Sequence, residues 1–296
     1  MDMVVSCARF PAPGETILTD DFMTFPGGKG ANQAVAAARL GGRVRFLGKM
    51  GDDVFRSQLL ESLQADGVDT EHVLVDAESS TGVALITVDG EGENQIIVAS
   101  GSNMRLTPEE VEAERALFDE ADVVLLQLEV PVETVERAAT LAKAAGATVI
   151  LNPAPACELS EALLRQVDIL TPNESEAARL TGVRITDRAA AEVAARRLLA
   201  KGARHVIVTL GADGALLVSA EGARHVPARE VHAVDTTAAG DAFNGALAFA
   251  LAGGQALGEA LAFATEAAAY AVTHRGAQAS MPTMDALTSA ETAEAR

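Results

Sequence analysis

The chain has 296 residues, of which 49% are hydrophobic and 22% are charged, a composition typical of a globular protein with a large core. Its 42 acidic and 23 basic side chains give a formal net charge of −19, which repels phosphate backbones and argues against nucleic-acid binding. Apolar stretches fall short of the roughly 18–20 residues that a membrane helix needs, and the first residues lack the pattern of a signal peptide. The two cysteines, Cys7 and Cys157, indicate neither a disulfide framework nor a zinc site. We therefore expect a cytoplasmic protein with no nucleic-acid or membrane partner.

The first hundred residues predict mainly strands, with one intervening helix. The helix is marked by apolar side chains at helical spacing, namely Phe55, Leu59, Leu60 and Leu63. The predicted strands lie at residues 15–25, 81–88 and 94–99, with a glycine-edged turn between the last two. Because strands without helical crossovers do not readily join a parallel sheet, we expect a small β-sheet lid, with lid strands from about residues 1–26 and 80–100.

From about residue 120 onward, short β-branched runs alternate with segments of helical period. The predicted strands lie at residues 123–128, 148–151 and 205–210. The predicted helices lie around residues 132–142, 187–201, 240–252 and 257–274. Such alternation implies parallel pairing through right-handed crossovers, and therefore an α/β fold with a doubly wound, mostly parallel sheet flanked by helices. No internal repeat or flexible linker is visible, so we expect one domain over residues 1–296.

A glycine-rich segment from Phe25 to Gln33 leads into the first predicted helix. It is not a Walker loop, because Lys29 is followed by Gly30, and it is not a Rossmann fingerprint. Three glycines at a helix start allow a ligand to approach the backbone closely, with Lys29 and Asn32 as donors for hydroxyl groups. A turn that only needs positive φ explains the spacing equally well.

A second segment places small residues at 238–240 directly before an apolar helix. Uncovered backbone N–H groups at such a helix start form an anion site without any cationic side chain. Asp241, in the first turn, has two possible roles. It either favours the helix dipole, by about 0.3–1 kcal/mol, or acts as a general base beside a bound phosphate. Taken alone, the pattern favours the dipole role.

Two weaker patterns also follow predicted strands. Asn173 and Glu176 lie three residues apart at a helix start, where they fit a capping arrangement. The alternative is that Glu176 organises a hydrated Mg²⁺ ion. Residues 209–214 form either a hairpin turn or a glycine-edged wall for a nucleotide. The five histidines show no spacing typical of metal ligands.

Taken together, these segments resemble the PfkB family of sugar kinases, and within it the members that phosphorylate ribose. The resemblance covers nearly the whole chain, and the order and spacing of its motifs are specific. The matching motifs are residues 13–16, 26–33, 48–53, 67–70, 81–84, 90–94, 127–129, 152–155, 172–174, 235–247 and 276–278.

The resemblance implies transfer of the γ-phosphoryl group of ATP to O5 of D-ribose, giving D-ribose 5-phosphate. It implies that Asp241 is the general base and that the amides of Ala238, Ala239 and Gly240 form the anion hole. The sugar-binding residues that it implies are Asp2, Gly28, Lys29, Gly30, Ala31, Asn32, Glu129 and Asp241.

The resemblance also implies three cofactors: ATP, Mg²⁺ and an activating K⁺ ion. The matching nucleotide positions are Asn173, Thr209, Leu210, Gly211, Ala212, Asp213, Gly214, Gly240, Asp241 and Thr265. Glu176 matches the position that holds Mg²⁺ through water. For K⁺, Asp235 and Ser280 match side-chain ligands, and carbonyl ligands are implied at Thr237, Val272, Arg275 and Ala277.

The start of the chain departs from the family pattern. Family members usually carry an apolar strand and a Gly-Ser-x-Asn turn before the aspartate that matches Asp2, so we expect this first core strand and its sugar-contacting asparagine to be missing. Two alternatives therefore stay open: a PfkB kinase for another sugar or nucleoside, such as deoxyribose, or a truncated, catalytically silent sugar-binding protein. The resemblance further implies a homodimer through the lid strands, which would cover their exposed edges.

Overall fold

The computed structural model describes residues 1–294, which form twelve strands and eleven α-helices. The strands are β1 (Asp2–Ser6), β2 (Phe22–Phe25), β3 (Gly48–Gly51), β4 (Val73–Asp76), β5 (Val83–Val88), β6 (Asn94–Ala99), β7 (Val123–Leu126), β8 (Thr148–Leu151), β9 (Ile169–Leu170), β10 (His205–Thr209), β11 (Ala215–Ser219) and β12 (Gly222–Val226). The helices are α1 (Lys29–Arg39), α2 (Val54–Ala65), α3 (Pro108–Ala113), α4 (Ala116–Asp119), α5 (Val132–Ala145), α6 (Glu161–Leu164), α7 (Glu174–Thr181), α8 (Arg188–Ala200), α9 (Ala239–Ala252), α10 (Leu257–Ala271) and α11 (Met284–Glu294). Short 3₁₀ turns lie at Gly101–Arg105, Gly211–Asp213 and Gln278–Ser280.

The main sheet has six strands in the order β12-β11-β10-β9-β8-β7. Strands β7 to β10 pair in parallel, and β11 and β12 extend the sheet in antiparallel fashion. Successive side chains of the inner strands are buried on opposite faces, as their period of two requires. Val149 and Leu151 pack in the cluster formed with α5 and α8, whereas Ile150 packs in the cluster formed with α9 and α10. The predicted doubly wound sheet, covered by helices on both faces, is confirmed.

A second sheet has four strands in the order β2-β1-β5-β6. The predicted strands at 81–88 and 94–99 correspond to β5 and β6, which pair in antiparallel fashion. The predicted strand at 15–25 is wrong in length, because only Phe22–Phe25 has a partner, in β1. Within residues 1–294, residues 15–20 pair with no strand through their backbone and are mostly exposed. Strand β1 lies between β2 and β5, inside the lid range predicted for residues 1–26, although no separate strand was predicted at Asp2–Ser6.

Strand β7 lies at one edge of the main sheet. Its four side chains are half-buried, unlike those of β8, as expected for an edge position. Asp2, which matches the family's sugar-binding aspartate, lies on β1 in the lid sheet and not in the main sheet. Within residues 1–294, no helix has both the length and the apolar character needed to cross a bilayer.

Candidate active site

The carboxyl ends of the parallel strands and the amino ends of α1, α7 and α9 meet at one edge of the main sheet. They surround a cleft of about 160 Å³, at the edge where open α/β sheets bind their ligands. The cleft is lined by Lys29, Asn152, Ala154, Thr171, Asn173, Glu176, Thr209, Thr236, Ala238, Ala239, Gly240, Asp241 and Asn244. The structure therefore brings together residues from four of the segments that the sequence indicated, which are far apart along the chain.

The start of α9 has the backbone geometry of an anion site, with one correction. Ala238 adopts a left-handed conformation, with φ of 59°, which costs a non-glycine residue on the order of 1–3 kcal/mol. Within the described residues, the amides of Ala238 and Gly240 donate to no protein acceptor. The amide of Ala239 was also expected to be uncovered, but it donates a long hydrogen bond of 3.4 Å to the carbonyl of Thr236, because the turn at Ala238 brings the two together.

Asp241 is buried, with 5% of its surface exposed, and both of its carboxylate oxygens are held by side-chain amides. Asn32 Nδ2 donates to Oδ2 at 2.9 Å, and Gln33 Nε2 donates to Oδ1 at 2.9 Å. Burial raises the pKa of Asp241, against the charge of Lys29 and the hydrogen bonds from Asn32 and Gln33. Because the carboxylate bonds to side chains of α1 and to no amide of its own helix, it is not a simple helix cap. A buried carboxylate with a raised pKa in a cleft is typical of functional sites.

Two further carboxylates lie around Lys29. Glu129 Oε2 accepts a 2.8 Å hydrogen bond from the amide of Lys29, and so caps α1, whose N-cap residue Gly28 has no side chain to do so. Asp2 packs so closely on Gly27 that an added Cβ there would overlap its carboxylate. Burial is the main cause that raises the pKa of both Glu129 and Asp2, and the charge of Asp241 raises both further.

The other predicted sugar-binding residues lie at the N-cap and in the first turn of α1. Gly28 has φ of 95°, a conformation that favours glycine. At Gly30 an added Cβ would come within 2.9 Å of Gln127 Oε1, so a larger residue there would displace the end of that side chain. Ala31 is buried. Asn32 Oδ1 is buried and has no hydrogen-bond partner among residues 1–294.

Asn173 and Glu176 form the predicted capping arrangement at the start of α7. Glu176 Oε2 accepts from the amide of Asn173 at 2.8 Å, and Asn173 Oδ1 accepts from the amide of Glu176 at 2.8 Å. Both side chains also line the cleft. Burial raises the pKa of Glu176, against the hydrogen bond from Asn173.

The other predicted nucleotide positions lie around the turn after β10 and on α10. Gly211–Asp213 joins β10 to its antiparallel neighbour β11, so the predicted hairpin turn is confirmed. Thr209 lines the cleft, whereas residues 210–214 lie outside its lining. Thr265 is buried, and its hydroxyl donates to the carbonyl of Leu261 within α10.

The predicted K⁺ ligands lie on two adjoining segments outside the cleft lining. Asp235 accepts hydrogen bonds of 2.9 Å from the amides of Thr237 and Gly276. Ser280 donates to the carbonyl of Ala277 at 2.8 Å. The carbonyl of Val272 already accepts two backbone amides. Burial would raise the pKa of Asp235, but the hydrogen bonds from Gly276 and Thr237, with the charge of Arg275, leave it lowered.

A buried polar network that the sequence patterns did not indicate lies behind Asp241. Gln33 Nε2 bonds to Asn152 Oδ1 as well as to Asp241, and Gln127 Nε2 bonds to Gln33 Oε1. On the far side, Thr171 donates to Asn244 Oδ1, and Asn244 Nδ2 donates to the carbonyl of Gly240. Their position in the sequence was the available indication, because Gln127, Asn152 and Thr171 each follow the last residue of a parallel strand of the main sheet.

The sequence profile of the pfkB family carbohydrate kinases matches residues 1–284. A ribokinase from Haemophilus influenzae is 44% identical over 282 residues, which cover 95% of this chain and 92% of that protein. A deoxyribokinase from Salmonella typhimurium is 38% identical over 286 residues, covering 96% and 94%.

Solved structures agree with the sequence relatives. The ribokinase from Thermotoga maritima superposes with a TM-score of 0.90 at 39% identity, covering 98% of this chain and 96% of that chain. The Arabidopsis thaliana ribokinase complexed with ribose and ATP has a TM-score of 0.91 at 32% identity, covering 97% and 94%. The fold and the cleft define a sugar-kinase-type phosphotransferase. The chain belongs to the pfkB family of carbohydrate kinases, which confirms the resemblance seen in its sequence.

Proposed function

We propose that this chain transfers the γ-phosphoryl group of ATP to O5 of D-ribose, giving D-ribose 5-phosphate and ADP. The observation that carries the proposal is the placement of Asp241. Its buried carboxylate accepts hydrogen bonds from two side-chain amides, and it lies next to the backbone N–H groups of Ala238 and Gly240, which donate to no acceptor in the described residues. The choice of ribose rests on ribokinase relatives at 40–44% identity, and deoxyribose is the second candidate because deoxyribokinases are 38% identical.

In the proposed reaction, Asp241 takes the proton of the sugar hydroxyl as its oxygen attacks the γ-phosphorus. A bond forms between O5 and phosphorus, the bond to the β–γ bridging oxygen breaks, and ADP leaves with that electron pair. The amides of Ala238 and Gly240 donate to the oxygens of the transferring group, and Ala239 joins them once its long bond to Thr236 is released. Positioning and electrostatic stabilisation are the main contributions of a protein to phosphoryl transfer.

The sugar is proposed to lie between α1 and the two carboxylates beside it. Asp2 and Glu129 accept hydrogen bonds from its hydroxyl groups, and Lys29 offsets their charge. Asn32 Oδ1, buried without a partner, accepts a further hydroxyl. The remaining residues of this sugar-binding segment are Gly28, Gly30 and Ala31.

ATP is proposed to enter from the side of α7 and the turn after β10, with Asn173, residues 209–214 and Thr265 around it. One oxygen of Glu176 accepts the Asn173 amide, and its other oxygen remains for water bound to Mg²⁺, which commonly keeps several waters. When bound, Mg²⁺ supplies positive charge to the phosphates. This matters on a chain with a net charge of −19, which otherwise repels a nucleotide.

K⁺ is proposed to bind beside the anion hole, between the side chains of Asp235 and Ser280. The carbonyls of Thr237, Arg275 and Ala277 complete the site. The carbonyls of Val272 and Ala277 each already accept two hydrogen bonds within the protein, so either would have to release a donor to bind the ion. Asp235 is bonded to the amide of Thr237, just before Ala238, so a cation at Asp235 orders the anion-hole turn.

The chain is proposed to act as one kinase domain that forms a homodimer through its lid. The lid strands expose an unusual amount of large apolar side chain: Phe22, Met23, Phe25, Leu85, Ile96, Ile97 and Val98. An exposed apolar sheet with open edges favours pairing with a second sheet. Closure of this lid over the sugar excludes water from the phosphoryl group.

The base assignment is tested with Asp241→Asn, with the exposed Asp119→Asn on α4 as the control. We expect kcat to fall by about 10²–10⁴-fold while ribose and ATP still bind, because general-base catalysis contributes that factor. A variant that retains more than about a tenth of wild-type kcat would contradict the assignment.

The substrate assignment is tested by kcat/KM across ribose, deoxyribose, fructose and adenosine. We expect ribose to give the highest value. An equal or higher value for deoxyribose would favour the second candidate, and ribose binding without turnover would identify a catalytically silent sugar-binding protein.

A further inference from the structure

We propose that Gln33 is a positioning residue that sets the orientation of the Asp241 carboxylate and keeps it ready to accept a proton. The inference rests on the proposed role of Asp241 as the base. Gln33 lies on α1 and is 1% exposed, so its amide must find all its partners within the protein. It does so at three points around the cleft.

The orientation of the Gln33 amide is determined by its neighbours. The carbonyl of Thr171 can only accept, so the group of Asn152 that bonds to it is Nδ2, at 3.0 Å. The group of Asn152 that faces Gln33 is therefore the acceptor Oδ1, so Gln33 must donate to it through Nε2, at 3.1 Å. The second hydrogen of Nε2 then reaches Asp241 Oδ1 at 2.9 Å.

The other end of the Gln33 amide is equally occupied. Gln127 Nε2 donates to Gln33 Oε1 at 2.6 Å. Gln127 follows β7 and Asn152 follows β8, so both partners are carried by the main sheet. Gln33 thus connects the carboxylate to a rigid element, which is what a precisely held reacting group needs.

Asn32 bonds to the other carboxylate oxygen but is less constrained. Its Nδ2 donates to Asp241 Oδ2, whereas its Oδ1 has no hydrogen-bond partner in the described part of the chain. Asn32 therefore keeps one acceptor available for a sugar hydroxyl. Gln33, with every polar atom engaged, is the group that holds Asp241 in place.

The hydrogen bond from Gln33 also affects the proton affinity of Asp241. Burial raises the pKa of Asp241, and the charge of Lys29 with the bonds from Asn32 and Gln33 opposes that rise. A base acts only while it is ionised, so its rate falls below its pKa. Loss of the Gln33 donor raises the pKa further and moves the acid limb of the kcat profile to higher pH.

The test compares Gln33→Leu with a control, Gln64→Leu. Gln64 lies on the exposed face of α2, and its side chain donates a hydrogen bond to Thr70. For Gln33→Leu we expect kcat to fall by about 10–100-fold, the scale of a small misplacement of a reacting group. We expect the KM values for ribose and ATP to stay within about threefold, and the acid limb to move to higher pH. Gln64→Leu should leave all of these unchanged.

A second variant, Gln127→Glu, tests the same chain of bonds from its far end. The new carboxylate can only accept, so it opposes Gln33 Oε1 and favours a turned amide whose oxygen faces Asp241. We expect the same loss of kcat and the same direction of the pH shift. This variant also carries the test if Gln33→Leu does not fold, because Gln127 is only half-buried.

Both variants are measured beside Asp241→Asn. If Asp241→Asn is inactive while a folded Gln33→Leu or Gln127→Glu keeps wild-type kcat and an unmoved acid limb, the positioning role is wrong and the base assignment stands. A loss confined to KM would also overturn the positioning role. If Asp241→Asn keeps its activity, the base assignment fails and the positioning role fails with it.

Discussion

Gly245 provides the sharpest test of how the packing of two helices controls the site. It lies on α9 one turn after Asp241, where α9 crosses α1. A Cβ added at Gly245 would lie 2.5 Å from Ala36 Cβ and 2.6 Å from the carbonyl oxygen of Gln33. Two of the three nearest atoms belong to the backbone of α1, so no side-chain rotation relieves the overlap in Gly245→Ala.

The size of the effect follows from these distances. Carbon atoms in contact normally lie about 3.5–4.0 Å apart, so α1 and α9 must separate by about 1 Å. Overpacking of this kind costs about 1–3 kcal/mol, and alanine recovers about 0.5–1 kcal/mol over glycine inside a helix. We therefore expect a net loss of up to about 2.5 kcal/mol. At about 2–4 °C per kcal/mol for a large domain, Tm falls by up to about 10 °C.

Catalytic activity should fall together with stability, because α1 and α9 would move apart next to Gln33, which bonds to Asp241. A displacement of about 1 Å near a reacting group can cost about 10²-fold in rate. The assay is Tm by calorimetry with kcat on ribose, and the control is Gly253→Ala at the end of the same helix, where the nearest atom is 3.4 Å from the added Cβ. A Gly245→Ala protein with the Tm and kcat of the wild type would refute the packing argument.

Two more changes test charge burial and assembly. Burial raises the pKa of Glu129, so its folded pKa lies above its unfolded value and its ionised form destabilises the fold once the pH exceeds both. Glu129→Gln, which keeps an acceptor for the Lys29 amide, should therefore raise Tm at neutral pH, with a gain that shrinks as the pH falls below the folded pKa. A Tm gain that is the same at acid and neutral pH would contradict this account. Ile97 is 69% exposed on β6, and Ile97→Lys should convert a sedimenting dimer to a monomer while Val193→Lys on α8 does not. A monomeric wild type would disprove the lid dimer.

Much of the architecture could be read from local patterns. The alternation after residue 120 depends on period alone, and it predicted the main-sheet strands at 148–151 and 205–210 nearly to the residue. The capping arrangement of Asn173 and Glu176 was also visible, because both partners lie within one turn. The strand at 15–25 was predicted too long, because a strand ends where its partner ends, and the partner β1 is not visible in the local pattern.

The active site also has a part that local sequence patterns predict and a part that they do not. Asp241 and the small residues before it stand together in the sequence, so a helix start with a carboxylate was predictable, although its role was not. The partners that make Asp241 a candidate base come from elsewhere: Gln33 lies 208 residues away from it, and Gln33 is itself held by a side chain 119 residues further along the chain.

Sequence therefore determined the elements of this protein, because the period of apolar residues and the chemistry of caps act over a few residues. Only the tertiary structure decided which polar side chains meet behind Asp241, because their contacts depend on how α1 and α9 pack on the ends of β7 and β8. Burial at that meeting point raises the pKa of the carboxylate, and burial is a property of the folded chain and not of any segment alone.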